Sequence, residues 1–225
     1  MRILIQARMN SNRLPGKVLM NLEGKLLLEW TIERLAKNNS NIPLAVITSN
    51  EKSDDQINDF CENKKIPCYR GNLNNVLLRY LMACEFFRTD YFIRISGDSP
   101  LIDFNLVDKA YQIHLQNKVD LITNILVRSF PKGQSVELIS LEALKELNRL
   151  KLTKEEKEHV TVGFYNKKEN FKIINFQAEK FNYSEQQQSI DTFEDLLNIK
   201  NMLSNNKDAI SLNWLEIYNK IKNSN

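Results

Sequence analysis

Three cations share one short stretch near the N-terminus: Arg8, Arg13 and Lys17 in Ala7-Arg-Met-Asn-Ser-Asn-Arg-Leu-Pro-Gly-Lys17. It follows the apolar run Ile3-Leu4-Ile5, so it reads as a loop leaving a first strand. Forked guanidinium donors and a lysine ammonium at such a place suit a polyphosphate, because they offset the crowded charge on its oxygens. Gly16 is the only glycine in the stretch, so side chains rather than a glycine-rich backbone would hold the anion. Two other phosphate loops are excluded. A Walker loop needs glycine five residues ahead of the Gly-Lys pair and Ser or Thr after it, where Ser11 and Val18 stand. The dinucleotide fingerprint G-x-G-x-x-G occurs nowhere. Taken alone, the basic stretch reads equally as solvated surface.

Two aspartates add to it. Asp98 lies just past the apolar, β-branched run Tyr91–Ile95, in Ser96-Gly-Asp-Ser-Pro-Leu101. Open α/β sheets bind ligands at the carboxyl ends of central strands, although Gly-Asp-Ser-Pro is also an ordinary turn. Asp191, in Ser189-Ile-Asp-Thr-Phe-Glu-Asp195, is expected to end a short strand, with Thr192 capping the next helix and Asp195 at its third position. By itself that is a plain helix start.

Further segments follow in order: Arg70-Gly71 with Val76-Leu77-x-Arg79-Tyr80, then Gly97-Asp98-x-Pro100-Leu101, then Glu158-His159-Val160-Thr161, then Asp191-Thr192-x-Glu194-Asp195. With the basic loop at their head, over roughly residues 1 to 205, the chain resembles the cytidylyltransferases that make CMP-activated acidic sugars. Within them it is most similar to the SpsF-like spore-coat polysaccharide branch, related to CMP-Kdo and CMP-acylneuraminate synthetases. The resemblance implies a Rossmann-like nucleotide-diphospho-sugar transferase sandwich of α/β class: a mixed, mostly parallel central sheet with helices on both faces. It implies CTP and Mg²⁺, attack of an acceptor oxygen on the α-phosphate, release of pyrophosphate, and a homodimer. Carried over by residue, Ala7, Arg8, Ser11, Arg13, Lys17, Arg70 and Asp98 contact the nucleotide, and Arg8, Lys17 and Asp98 are catalytic. Asp98 and Asp191 hold magnesium; Gln134, Glu137 and His159 contact the acceptor. The other histidine, His114, reads as structural.

The chain departs from the family pattern at Asn75, at Ser135 and at Gln187-Gln188-Ser189-Ile190. The last two fall in the acceptor half and leave the acceptor open: a Kdo-like or nonulosonic sugar acid, or a small phosphate or phosphonate. Two other readings stand beside this one. A glycosyltransferase on the same fold would carry Asp-x-Asp at a strand end, and the sequence has no such triplet. A catalytically silent nucleotide-binding protein would explain Ser135 and Gln188, but not the retained Lys17, Asp98 and Asp191.

The elements that must position these groups alternate. Strands are expected at Ile3–Ile5, Leu44–Thr48, Pro67–Tyr69, Tyr91–Ile95 and Asp120–Thr123, with helices at Leu27–Ala36, Asp54–Asn63, Val76–Phe87 and Asn105–Leu115 between them. In the first helix Leu28, Thr31, Ile32 and Leu35 share a face. Such alternation implies right-handed crossovers in a mostly parallel sheet. The later half mixes a strand at Ser135–Ile139, a helix at Leu141–Leu150, a helix at Lys154–Tyr165 opened by the capping box Thr153-Lys-Glu-Glu156, a strand at Phe171–Phe176, and helices from Thr192 and about Ser211. The polar tail Asn219–Asn225 is expected to fray. One domain over 1–225 is expected, with a nucleotide half at about 1–125 and an acceptor and dimer half at about 126–205.

Composition narrows the class. A net charge of +3 is too mild for a nucleic-acid footprint, and no aromatic-interleaved basic patch occurs. Apolar runs fall far short of a membrane span, and the N-terminus lacks a signal-peptide core. Cys61, Cys68 and Cys84 are odd in number without C-x-x-C spacing, which points away from disulfides or zinc and toward a reducing cytoplasm.

Overall fold

The computed structural model describes residues 1–204, 206 and 208–224. Its strands are β1 (Arg2–Gln6), β2 (Asn21–Leu22), β3 (Lys25–Leu26), β4 (Leu44–Ser49), β5 (Cys68–Gly71), β6 (Tyr91–Ser96), β7 (Leu121–Thr123), β8 (Glu137–Ser140) and β9 (Ile173–Asn175). Its α-helices are α1 (Leu27–Leu35), α2 (Asp55–Asn63), α3 (Val76–Phe86), α4 (Phe104–Gln116), α5 (Leu141–Arg149), α6 (Lys154–His159), α7 (Thr161–Asn166), α8 (Phe193–Ser204) and α9 (Trp214–Ser224). A seven-stranded sheet takes the order β5-β4-β1-β6-β8-β7-β9, and β2 and β3 form a separate hairpin. Every strand of the large sheet runs the same way except β8, which is antiparallel to β6 and β7.

Successive strand residues point to opposite faces, and here both faces are apolar. Ile3 and Ile5 of β1, Val46 of β4, and Ile93 and Ile95 of β6 pack against α1, α2 and α4. Leu4, Ala45, Ile47 and Phe92, one residue out of phase, pack against α3, α5 and the segment from Val160 to Phe164. Burial on both sides explains why these strands read as apolar runs, interrupted in β6 by Arg94 alone.

A third cluster carries the C-terminal part of the chain. Ile190, Leu196, Ile199, Met202, Leu203 and Ile217 pack on Leu14, Leu22, Leu27 and Trp30. Arg34 of α1, fully buried, ties that part down. Its Nε donates to the Ile102 carbonyl at 2.8 Å, and its Nη1 and Nη2 donate to the carbonyls of Ala209 and Leu212. Burial pulls its pKa down to about 10.

Three expectations are corrected. The helix expected over Lys154–Tyr165 is two, α6 and α7, broken at Val160, whose φ of 42° no helix accepts. Val160 is fully buried, and Gly163 packs onto Leu147 of α5, so burial of this corner outweighs helical continuity. The described part of the tail is helical: α9 runs through it, with Ile217 and Ile221 in the third cluster, while Asn225 lies outside the described residues. Asp191 does not end a strand. The segment before it is irregular, joined to its neighbours by one isolated bridge between Lys132 and Gln187 and by the Ile190 amide donating to the Asp98 carbonyl at 2.9 Å.

Candidate active site

Strands are added to one side of β1 as β4 and β5, and then β6 pairs on its other side. That reversal opens a crevice at the carboxyl ends of β1 and β6, the place where doubly wound sheets take their ligands. The basic loop leaves β1 there and Gly97-Asp98 leaves β6 there. Gly97 allows the two exits to touch: its amide donates to the Gln6 carbonyl at 2.7 Å, and a Cβ on it would stand 2.9 Å from that same oxygen.

The loop is held at its base by Asp54, whose carboxylate is almost fully buried. It accepts from the Met9 amide at 2.8 Å, the Thr48 hydroxyl at 2.9 Å, and the Ser49 amide and hydroxyl at 3.0 and 2.5 Å. The amide of Gly16 returns to the Met9 carbonyl at 2.8 Å, closing the loop on itself. This turns Lys17 inward, with 7% of its surface exposed.

The Lys17 ammonium is the centre of the site. It donates to Asp98 Oδ2 at 2.6 Å, to Asp191 Oδ1 at 3.0 Å and to the Ile190 carbonyl at 2.8 Å. Arg13 Nη2 reaches the other oxygen of Asp191 at 3.1 Å, and Arg8 Nη2 lies 2.9 Å from Glu158 Oε1. Burial by itself would raise the Asp191 pKa, but the bonds and charges of Lys17 and Arg13 outweigh it and hold the carboxyl below its ordinary value. Glu158 is held low chiefly by its bond to Arg8.

Asp191 is delivered by tight backbone docking. Gly133, at φ 97°, lies so close to Gln188 and Ser189 that a Cβ there would stand 2.6 Å from their main chain. The adjacent Gln134 is buried; its Nε2 donates to the Leu101 carbonyl and to Gln188 Oε1, both at 2.7 Å, and its Oε1 accepts from the Asp103 amide. Thr192 and Asp195 form the expected cap, each accepting the other's amide at 3.2 and 2.8 Å.

These groups line a polar cleft of about 480 Å³. Of the residues singled out from the sequence, Ala7, Arg8, Ser11, Arg13, Lys17, Asp98, His159 and Asp191 line it. Arg70, Gln134 and Glu137 do not. Arg70 spends its guanidinium on the Ser49 and Glu51 carbonyls and on Asp55. Glu137, 1% exposed, takes Arg94 and the Tyr165 hydroxyl. His114 packs tilted against Tyr91, with ring centroids 4.4 Å apart, and does not line the cleft. Sequence reasoning missed Asp54, Arg94 and Glu158. Glu158 stood in the quoted Glu158-His159 pair, whereas Asp54 looked like a helix start and Arg94 like part of a strand.

Two carboxylates from separate elements therefore meet at one cation position. No group of three or more ligating side chains occurs among the described residues. Asp98 and Asp191 are the side chains of the cleft that could hold a hard divalent ion, the rest of its shell coming from a ligand and water. No described helix is long and apolar enough to cross a membrane.

A sequence profile of the cytidylyltransferase family matches residues 2–223. The chain is 32% identical over 205 residues to the spore coat polysaccharide biosynthesis protein SpsF of Bacillus subtilis, covering 88% of this chain and 83% of that protein. It is 28% identical over 150 residues to the 3-deoxy-manno-octulosonate cytidylyltransferase of Bdellovibrio bacteriovorus, covering 66% of this chain and 56% of that one. A cytidylyltransferase of Leptospira borgpetersenii superposes with a TM-score of 0.93 at 29% identity, over 99% of this chain and 94% of that one. A CMP-2-keto-3-deoxy-manno-octonic acid synthetase solved with CTP shares the fold, with a TM-score of 0.67 at 16% identity over 91% of this chain and 98% of that one.

Proposed function

Because the chain belongs to the cytidylyltransferase family, we propose that it transfers the CMP portion of CTP to an acidic acceptor and releases pyrophosphate, in the assembly of a surface polysaccharide. The enzyme class, nucleotidyltransferase, follows from the family itself. The acceptor in this reading is a sugar acid of the Kdo or nonulosonic type. The relatives named as 3-deoxy-manno-octulosonate cytidylyltransferases support that class, and one fold neighbour was solved with CTP.

The observation that carries the reading is the Lys17 ammonium, shared between Asp98 and Asp191 at the mouth of a basic loop. Nucleotidyl transfer is an in-line displacement in which positioning and charge neutralisation do most of the catalysis. Arg8 and Arg13 bring bidentate donors to the triphosphate, and Lys17 brings a compact charge. On nucleotide binding these cations exchange Glu158, Asp191 and Asp98 for phosphate oxygens. Asp98 and Asp191, released from Lys17, are the residues that would hold Mg²⁺. When bound, that ion supplies charge neutralisation to the reacting phosphate. The acceptor oxygen forms its bond to the α-phosphorus as the α–β bridge breaks. Losing one such electrostatic group typically costs about a hundredfold in rate.

The test is a pyrophosphate-release screen of four nucleoside triphosphates against sugar acids, sugar phosphates and phosphonates. Turnover with CTP and a sugar acid is expected. Absence of pyrophosphate with every pair would overturn the proposal. A homodimer belongs to this reading by resemblance, and sedimentation velocity measures it. The free thiols of Cys61, Cys68 and Cys84 fit a reducing compartment.

A further inference from the structure

Among the described residues, Arg94 is the one arginine or lysine of the cleft wall that does not come from the 7–17 loop. It sits on β6 directly opposite Glu137 of β8 in the antiparallel register. Its Nη1 donates to Glu137 Oε2 at 2.5 Å, and the Tyr165 hydroxyl donates to the other oxygen, Oε1, at 2.8 Å. Glu137 is thus fully occupied and acts to aim the guanidinium. Arg94 keeps donors that no described protein group takes, Nε among them.

The surroundings carry an excess of positive charge. Arg79 of α3 is wholly buried, with all three guanidinium nitrogens unpartnered, and it feels the charges of Arg8 and Arg94, with the Asp54 carboxylate acting against them. Arg128 leaves its buried Nη1 unpartnered and gives Nη2 to Ser135. Glu137 is the only carboxylate bonded to any of these three arginines among the described residues. Buried cations left short of partners are costly, and Arg94, the one of the three that lines the cleft, is placed to attract an anion there. The triphosphate already has three cations in the basic loop. The surplus lies on the sheet face covered by α3, α6 and α7, and α6 brings Glu158 and His159 to the rim on that side.

We infer that Arg94, aimed by Glu137, anchors the carboxylate of a 2-keto sugar acid acceptor. This deepens the proposed function and rests on its acceptor class. Arg94 is then the specificity residue that separates an acidic sugar from a neutral one, and Glu137 is a positioning residue behind it.

The probes are 3-deoxy-manno-octulosonate and N-acetylneuraminate, each with its methyl ester, titrated by NMR into the enzyme saturated with CTP and Ca²⁺. At least one acid is expected to bind about tenfold or more tighter than its ester, as suits a charge-assisted hydrogen bond. Arg94→Lys should lose most of that preference. The double variant Arg94→Gln with Glu137→Gln, which removes both charges of the pair together, should lose all of it. CTP affinity measured by calorimetry should stay within about twofold of wild type in both. Equal binding of acid and ester, no binding of either acid, or a variant that weakens CTP instead would overturn the inference. The two readings fail separately. An acid bound through Arg94 without pyrophosphate release defeats the proposed reaction, whereas pyrophosphate release with an acceptor KM indifferent to Arg94→Lys defeats the anchor alone.

Discussion

Lys17 and Asp191, 174 residues apart in the chain, are joined by a 3.0 Å hydrogen bond, and the same ammonium lies 2.6 Å from Asp98. One lysine thereby bridges the two carboxylates proposed to hold a divalent ion, with Arg13 on the outer oxygen of Asp191. On the proposed reading, an incoming cation competes with Lys17, while a nucleotide removes that competition by giving the ammonium phosphate oxygens to bond. Mn²⁺ should therefore bind weakly to the free protein and at least tenfold tighter in the presence of CTP. Lys17→Gln should gain Mn²⁺ affinity without nucleotide while losing CTP affinity. Electron paramagnetic resonance of free Mn²⁺ measures both, and a Lys17→Gln protein that binds Mn²⁺ no better than wild type sinks the idea.

Asp54 touches no cleft-lining side chain through a hydrogen bond, yet it anchors the loop through the Met9 amide and two residues of β4. Asp54→Asn keeps the shape but replaces one acceptor oxygen with a donor facing other donors. The expected cost is about 2 kcal/mol of stability and a several-fold loss of CTP affinity. Denaturant titration and calorimetry read the two effects. An unchanged CTP affinity would show that the loop needs no such anchor.

Arg34 satisfies three backbone carbonyls at once, two of them in the segment between α8 and α9. Arg34→Met keeps the aliphatic bulk and leaves those carbonyls buried without donors. A loss of about 3 kcal/mol or more is expected, with the C-terminal segment losing protection first. Hydrogen exchange followed by mass spectrometry locates it; uniform loss across the sheet would contradict the assignment.

Acid should loosen α6 and α7 in a defined window. Glu156 bonds Lys167, the Thr153 amide and Asn166, with Lys167 the largest influence, and its pKa falls from 4.5 to about 2. A carboxyl depressed on folding contributes stability that is complete above its unfolded value and is lost as pH falls toward the folded one. Stability should therefore drop between pH about 4.5 and about 2, and Glu156→Gln should flatten that slope by about one proton. Urea melts across this range decide the matter, and identical slopes would exclude the role.

The strands and early helices were legible because both sheet faces are buried. Burial on both sides leaves unbroken apolar runs in β1 and β4 and a run interrupted only by Arg94 in β6, and the helical spacing of α1 and α3 follows from the faces they bury. What the sequence hid was tertiary. The break at Val160 depends on how closely Gly163 approaches Leu147, which no local pattern records. The inward turn of Gln134 depends on Leu101, Asp103 and Gln188, between 31 and 54 residues away. Arg94 looked like one polar residue inside a strand, and only the register with β8 sets it against Glu137. The continued helix α9 could have been read from Ile217 and Ile221, one turn apart.

The third apolar cluster has a consequence for how the two carboxylates come together. The segment that carries Asp191 is seated by the packing of Ile190, α8 and α9 on the β2–β3 hairpin and α1. Every strand of the large sheet precedes that segment in the chain, so pairing the strands leaves Lys17 beside Asp98 alone. Helix packing outside the sheet, and not the sheet itself, brings the second carboxylate to the lysine.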